Sequence, residues 1–102
     1  MIHVIATVEV QPGKRADFLR EFHALMPKVR AENGCIEYGP AVDATTSIPV
    51  QIPKRENTVT VIEKWSDLPA LEAHLKAPHL TDCRVRVKEF VAGVKLQILE
   101  PA

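Results

Sequence analysis

Glu63, Trp65, His74 and His79 are the side chains whose types and spacing could do chemistry together. Glu63 interrupts an apolar alternation, Val59, Val61 and Trp65, two residues before the only tryptophan. A carboxylate on such a face must look into a cavity, pair with a cation or lie at a sheet edge, because burying it alone is costly. Trp65, taken alone, is more often core than a platform for another ring. His74 can change charge near neutral pH, which makes it the best acid–base candidate, with Glu63 able to stabilise its imidazolium; the alternative is a hydrogen-bonded structural histidine. The chemistry within reach is proton transfer. His79 and Cys83 are four apart and share a face if helical, which with Glu72 or His74 suggests a metal. Two soft ligands are too few for structural zinc, and no CxxC or HExxH spacing occurs, so no metal is expected and Cys83 reads as packing. His3 and His23 have no partner visible in sequence. Without a Gly-rich phosphate loop, a Gly-x-Ser-x-Gly elbow or a dinucleotide fingerprint, no nucleotide or flavin held by a standard motif is expected.

These groups need elements to position them. Ile2 to Val10 alternates, with Ile2, Val4, Ala6, Val8 and Val10 on one side, and reads as a half-buried strand. After the Pro12-Gly13 turn the period changes. Phe18, Phe22, Leu25, Met26 and Val29 fall on one helical face, with Pro27 expected to kink or loosen the last turns and Gly34 to cap them. A second strand runs from Cys35 through Tyr38. Residues 39–56 then form a loopy excursion broken by Pro40, Pro49 and Pro53, long enough to be a lid or a partner-contacting arm. Thr58 to Trp65 is the clearest strand, with Val59, Val61, Glu63 and Trp65 sharing a face. Ser66 or Asp67 caps a helix whose stripe is Leu68, Leu71 and Leu75, with His74 at its edge. Pro78 ends that helix and starts another, in which Leu80, Cys83, Val87, Phe90 and Val91 repeat until Gly93; Val94, Leu96 and Ile98 alternate in a last strand.

The order strand, helix, strand, strand, two-part helix, strand predicts an α+β, ferredoxin-like domain over residues 1–102, an antiparallel sheet with its helices on one face. The opposite face would carry Ile5, Ile62 and Leu99, too apolar to be comfortable in water, and a domain this small gains from pairing with a second copy. Basic and acidic residues balance at 13 each, so no field draws in nucleic acid or an anionic membrane. No signal peptide and no bilayer-spanning segment is expected, and the two cysteines read as reduced thiols of a cytoplasmic protein.

Glu32-Asn33-Gly34-Cys35-Ile36-Glu37-Tyr38 resembles a Glu-x-Gly-Cys-x-x-Tyr turn, Glu63-Lys64-Trp65 a Glu-x-Trp strand end, and His74-Leu75-Lys76-Ala77-Pro78-His79 a His-Leu-x-x-x-His segment. In this order the three are similar to the antibiotic-biosynthesis-monooxygenase family, which includes quinol monooxygenases. The resemblance implies a homodimer of the dimeric α/β-barrel type with a pocket between sheet and helices in each subunit. It also implies oxidation of a quinol-like or phenolic molecule by molecular oxygen with no cofactor. In that reading His74 and Glu63 are catalytic, Trp65, His79 and Tyr38 bind substrate, and the partners are a small hydrophobic or aromatic substrate, oxygen and a second copy. The 39–56 excursion is longer than the family's usual connection. The Asn that related heme-degrading enzymes carry on the first strand is missing between Ile2 and Val10, which argues against heme breakdown. Two other functions fit the same fold: a non-catalytic binder of a small hydrophobic ligand, and an isomerase.

Overall fold

Alternation along the first strand sets the sheet's two faces. In β1 (Ile2–Val10) every second residue from Ile2 to Val10 is buried. A computed structural model describes residues 1–102. After β1 come α1 (Arg15–Arg30), β2 (Cys35–Ala41), β3 (Thr58–Trp65), α2 (Leu68–Leu75), α3 (Pro78–Val87) and β4 (Val91–Leu99). The strands form one antiparallel sheet in the order β2-β3-β1-β4, the ferredoxin-like arrangement, and the architecture is α+β. The five buried α1 residues are those its periodicity picks out, Phe18, Phe22, Leu25, Met26 and Val29. They meet Val59, Val61 and Trp65 of β3 in a core of 17 side chains. Each of the larger ones contributes about 1.5–3 kcal/mol by leaving water.

Several boundaries differ from what spacing predicts, but helix α1 runs through Pro27 to Arg30 as expected. Proline removes the bond to the His23 carbonyl, but His23 and Pro27 both lie on the exposed side, where water replaces it. Strand β2 runs three residues beyond Tyr38, through Gly39 and Pro40 to Ala41. Proline is tolerated there because β2 is an edge strand. Helix α3 stops at Val87, and Gly93 sits inside β4, opposite Glu9, instead of ending a helix. Phe90 and Val91 satisfy both periods, and the sheet wins: the Phe90 carbonyl accepts from Gln11 N–H at 2.8 Å. In α2, Leu68 is exposed while His74 is only 2 % exposed, so the histidine lies within the buried stripe and not at its edge.

The connection from 42 to 57 has no regular structure. Its ends are clamped by Asp43, which accepts from Arg55 Nε and Nη2 at 2.8 and 2.9 Å. The Arg55 guanidinium holds the Asp43 carboxyl down at about 2.

The helices do not cover the sheet evenly. Val94, Leu96 and Ile98 pair with Val8, Ala6 and Val4, yet all three are exposed. A gap is left between the helices and β4. On the opposite face Ile62 and Leu99 are exposed, as the alternation requires. No helix is long and apolar enough to cross a membrane.

Candidate active site

The sheet register delivers the first two groups. Glu63 of β3 is opposite Val4 of β1 and Tyr38 of β2, so the carboxylate and the phenol ring lie in one column on the helix face. Asp67 caps α2 by accepting from Ala70 N–H at 2.9 Å, which starts the helix so that His74 folds back over that column. The imidazole of His74 sits 4.7 Å from the Trp65 ring and 5.4 Å, edge-on, from Tyr38, which stacks on Phe22 at 5.2 Å.

Glu32 arrives by a different route. Gly34 takes φ +84°, and a Cβ there would lie 2.6 Å from Ala70 Cβ and Ser66 Oγ. Only glycine lets the turn after α1 press this closely on the start of α2. Its carbonyl accepts from Ser66 N–H at 2.8 Å, which locks the approach. Glu32 then places one oxygen, Oε2, 2.9 Å from His74 Nδ1 and 2.7 Å from His79 Nε2. An ionised carboxylate only accepts, so both nitrogens carry their protons toward it. That assignment leaves Nε2 of a neutral His74 with its lone pair, 3.9 Å from Glu63 Oε1. Glu63 Oε1 in turn accepts from Trp65 Nε1 at 2.9 Å. The arrangement is an imidazole oriented at one nitrogen by a carboxylate and free at the other.

The electrostatics fit a site that handles protons. Burial pushes the Glu63 carboxyl above its ordinary value, against the opposing pull of the Trp65 hydrogen bond and of His74. Burial, then the Glu63 charge, raises the Tyr38 phenol, which therefore stays a neutral hydrogen-bond donor. Burial likewise raises the thiols of Cys35 and Cys83, so neither is a thiolate nucleophile.

Beside these groups opens a cavity of about 460 Å³, between the sheet and the helices on the side toward β4; of its 18 lining residues, 14 are hydrophobic. Such a volume suits a one- or two-ring molecule. Glu63, His74 and Tyr38 are on its wall. Trp65 is fully buried and does not line it; its indole lies behind, holding Glu63 and packing on His74. His79 is not on the wall either, because it turns to Glu32, while Cys83 turns to the cavity, so the four-residue spacing does not gather a ligand pair. No residue of 42–57 lines the cavity, so within one chain that segment is not its lid. Glu32 carries no sign of this role in the sequence beyond its place in the Glu-x-Gly-Cys-x-x-Tyr segment.

The family model described as antibiotic biosynthesis monooxygenase matches residues 1–86. The chain is 34% identical over 103 residues to the Escherichia coli K12 protein YgiN, described as a probable quinol monooxygenase, covering 99% of this chain and 98% of that one. It is 32% identical over 93 residues to YcnE of Bacillus subtilis, covering 91% and 88%. Among solved structures, PA3566 from Pseudomonas aeruginosa superposes with a TM-score of 0.80 at 29% identity, covering 99% of this chain and 93% of that one.

Proposed function

The chain belongs to the antibiotic biosynthesis monooxygenase family, and from that premise we propose that it oxidises a quinol-like or phenolic molecule with molecular oxygen, without a cofactor, as a homodimer. The observation that carries this reading is the His74 imidazole, held at Nδ1 by Glu32 and free at Nε2 beside an apolar cavity. A hydroquinone bound there gives one hydroxyl proton to Nε2, which makes the ring electron-rich enough to reduce oxygen itself. One electron passes from quinolate to oxygen, giving a semiquinone and superoxide. Their recombination forms a ring carbon–oxygen bond, the O–O bond then breaks, and a hydroxylated quinone and one water leave. Quinol plus O2 thus equals hydroxyquinone plus water, with the His74 proton returned to the departing water. Glu63 and Glu32 stabilise the transient imidazolium, Tyr38 donates to a ring oxygen, and the apolar wall keeps water from the radical pair. Trp65 acts by holding Glu63 and His74 in place.

Metal-depleted protein incubated with a panel of hydroquinones tests this, with oxygen uptake and quinone absorbance followed together. His74→Ala should lower turnover by about 10²-fold or more, the scale of a lost general base. Ring turnover with no oxygen uptake would replace the monooxygenase with an isomerase, and binding with no turnover would leave a carrier.

A further inference from the structure

The cavity has four charged or imidazole side chains on its wall, at two different ends. Glu63 and His74 are buried, Glu63 opposite Val4 in the sheet and His74 beside it, with Nε2 3.9 Å from Glu63 Oε1. Arg84 and Lys88 are exposed and belong to the other end. Helix α3 starts beside the Glu32–His79 bond and runs away from it, and the Phe90 carbonyl that follows is bonded to Gln11, just beyond the far end of β1. Wall residues Ala6, Val8 and Val91 mark the way between the two ends, Val91 being paired with Val10. The four residue steps of β1 from Val4 to Val8 span about 13 Å. Arg84 and Lys88 are one helical turn apart, on the α3 face that also puts Leu80 and Val87 on the wall. The chain gives neither a carboxylate, whereas Arg86 between them is taken by Glu21 at 2.9 Å. The net charge of the chain is zero, so this positive mouth is a local feature and not part of a general basic surface.

We propose that the cavity selects an amphipathic acid: an aromatic hydroxyl at the His74 end, an apolar body, and a carboxylate or comparable anionic group roughly 10–13 Å away, within reach of the long Arg84 and Lys88 side chains. This rests on the reading of the cavity as the substrate site. The guanidinium offers a planar fork to a carboxylate, and the ammonium adds a second charge at the same mouth. A neutral quinol uses only half of such a site.

Redox-inert ligands test this apart from turnover. The probes are 4-(4-hydroxyphenyl)butanoic acid and its primary amide, of nearly the same shape, titrated calorimetrically into the intact protein. The acid is expected to bind about tenfold tighter than the amide at low salt, with the preference shrinking at high salt. In the double variant Arg84→Gln, Lys88→Gln the two should bind alike; glutamine preserves helix propensity, and both positions are exposed. The control Arg86→Gln, away from the wall, should keep the preference. Equal affinities in the unmodified protein, a preference that survives the double variant, or no binding of either probe would each overturn the inference. Oxygen uptake with neutral hydroquinones but no acid preference would leave the catalytic reading standing and remove this one. Acid preference with no oxygen uptake by any quinol would do the reverse.

Discussion

Removing the Glu32 carboxylate should be felt twice, in stability and in turnover. Its oxygen serves two imidazoles of different burial: the His74 side chain is 3% exposed and that of His79 25%. In Glu32→Ala, His79 finds water at little cost. His74 Nδ1–H, sealed between Trp65 and the α2 turn, does not. An orphaned buried donor that has lost a charged acceptor costs about 1.5–3 kcal/mol, and the partly exposed His79 bond adds at most about 0.5–1 kcal/mol. The variant should therefore lose about 2–3 kcal/mol, visible as a melting midpoint lowered by roughly 10–20 °C in a chain of this size. A urea-denaturation cycle with His74→Ala isolates the pair, with an expected coupling of about 1.5–3 kcal/mol; the same cycle with His79→Ala should give well under 1 kcal/mol. Turnover should fall by about 10²-fold or more, because without Glu32 nothing keeps the Nδ1–H tautomer and the proton-accepting Nε2 is lost from part of the population. Nitrogen chemical shifts of the imidazole report that tautomer with no substrate present. A Glu32–His74 coupling below about 0.5 kcal/mol, or an unchanged tautomer in Glu32→Ala, would refute the reasoning.

Glu63 makes a prediction of the opposite sign. Its folded carboxyl titrates above its ordinary value near 4.5, so the contribution that favours folding is complete below that value and is lost as pH rises through the folded one. Glu63→Gln, which can still accept from Trp65, should raise stability at neutral pH by about 1 kcal/mol while impairing turnover; the gain should vanish below about pH 4, and a loss of stability at pH 7 in thermal unfolding would contradict it. Gly34→Ala should cost at least about 2 kcal/mol, from the positive φ and from the 2.6 Å approach to Ala70 and Ser66, whereas Gly13→Ala, with similar φ and open space, should cost about 1–2 kcal/mol in the same denaturation assay. Light scattering at micromolar concentration should give about twice the 11.4 kDa chain mass, and a clean monomer would remove the homodimer from the proposal.

What the sequence made legible was whatever obeys a short period. The inward face of β1, the five buried residues of α1 and the shared face of Val59, Val61, Glu63 and Trp65 are all consequences of spacing by two or by about 3.6. Where two periods overlap, spacing alone does not decide. Phe90 and Val91 fit a helix and a strand equally, and only the pairing of Val91 with Val10 decides between them. The acidic partner of the site was illegible for a different reason. Glu32 meets His74 and His79 across 42 and 47 residues of chain, and no local pattern on either side announces that meeting. The type of Trp65 does not say whether the ring is the wall of the cavity or the support behind it.

The break at Pro78 then acquires a reason. His74 and His79 are five residues apart, and on one continuous helix they would be separated by about 140° around the axis. Two imidazoles so placed cannot meet one carboxylate oxygen. The chain leaves the helix instead: the Ala77 N–H bonds back to the His74 carbonyl at 3.0 Å, Ala77 itself is extended at φ −64° and ψ 135°, and Pro78 opens α3 in a new direction. Extended geometry is what a residue before proline prefers, so the turn is encoded locally even though its consequence is not. The change of axis brings His79 round to the same Oε2 that holds His74. Glu32 is thereby anchored from the solvent side by His79 and by the Gly34 turn, and has one geometry left in which to face His74. The same change of direction carries α3 along α1 and puts Arg84 and Lys88 on the cavity wall away from Glu32. One proline-marked interruption in a short helical region thus both completes the carboxylate–imidazole pair and shapes the cavity that the pair serves.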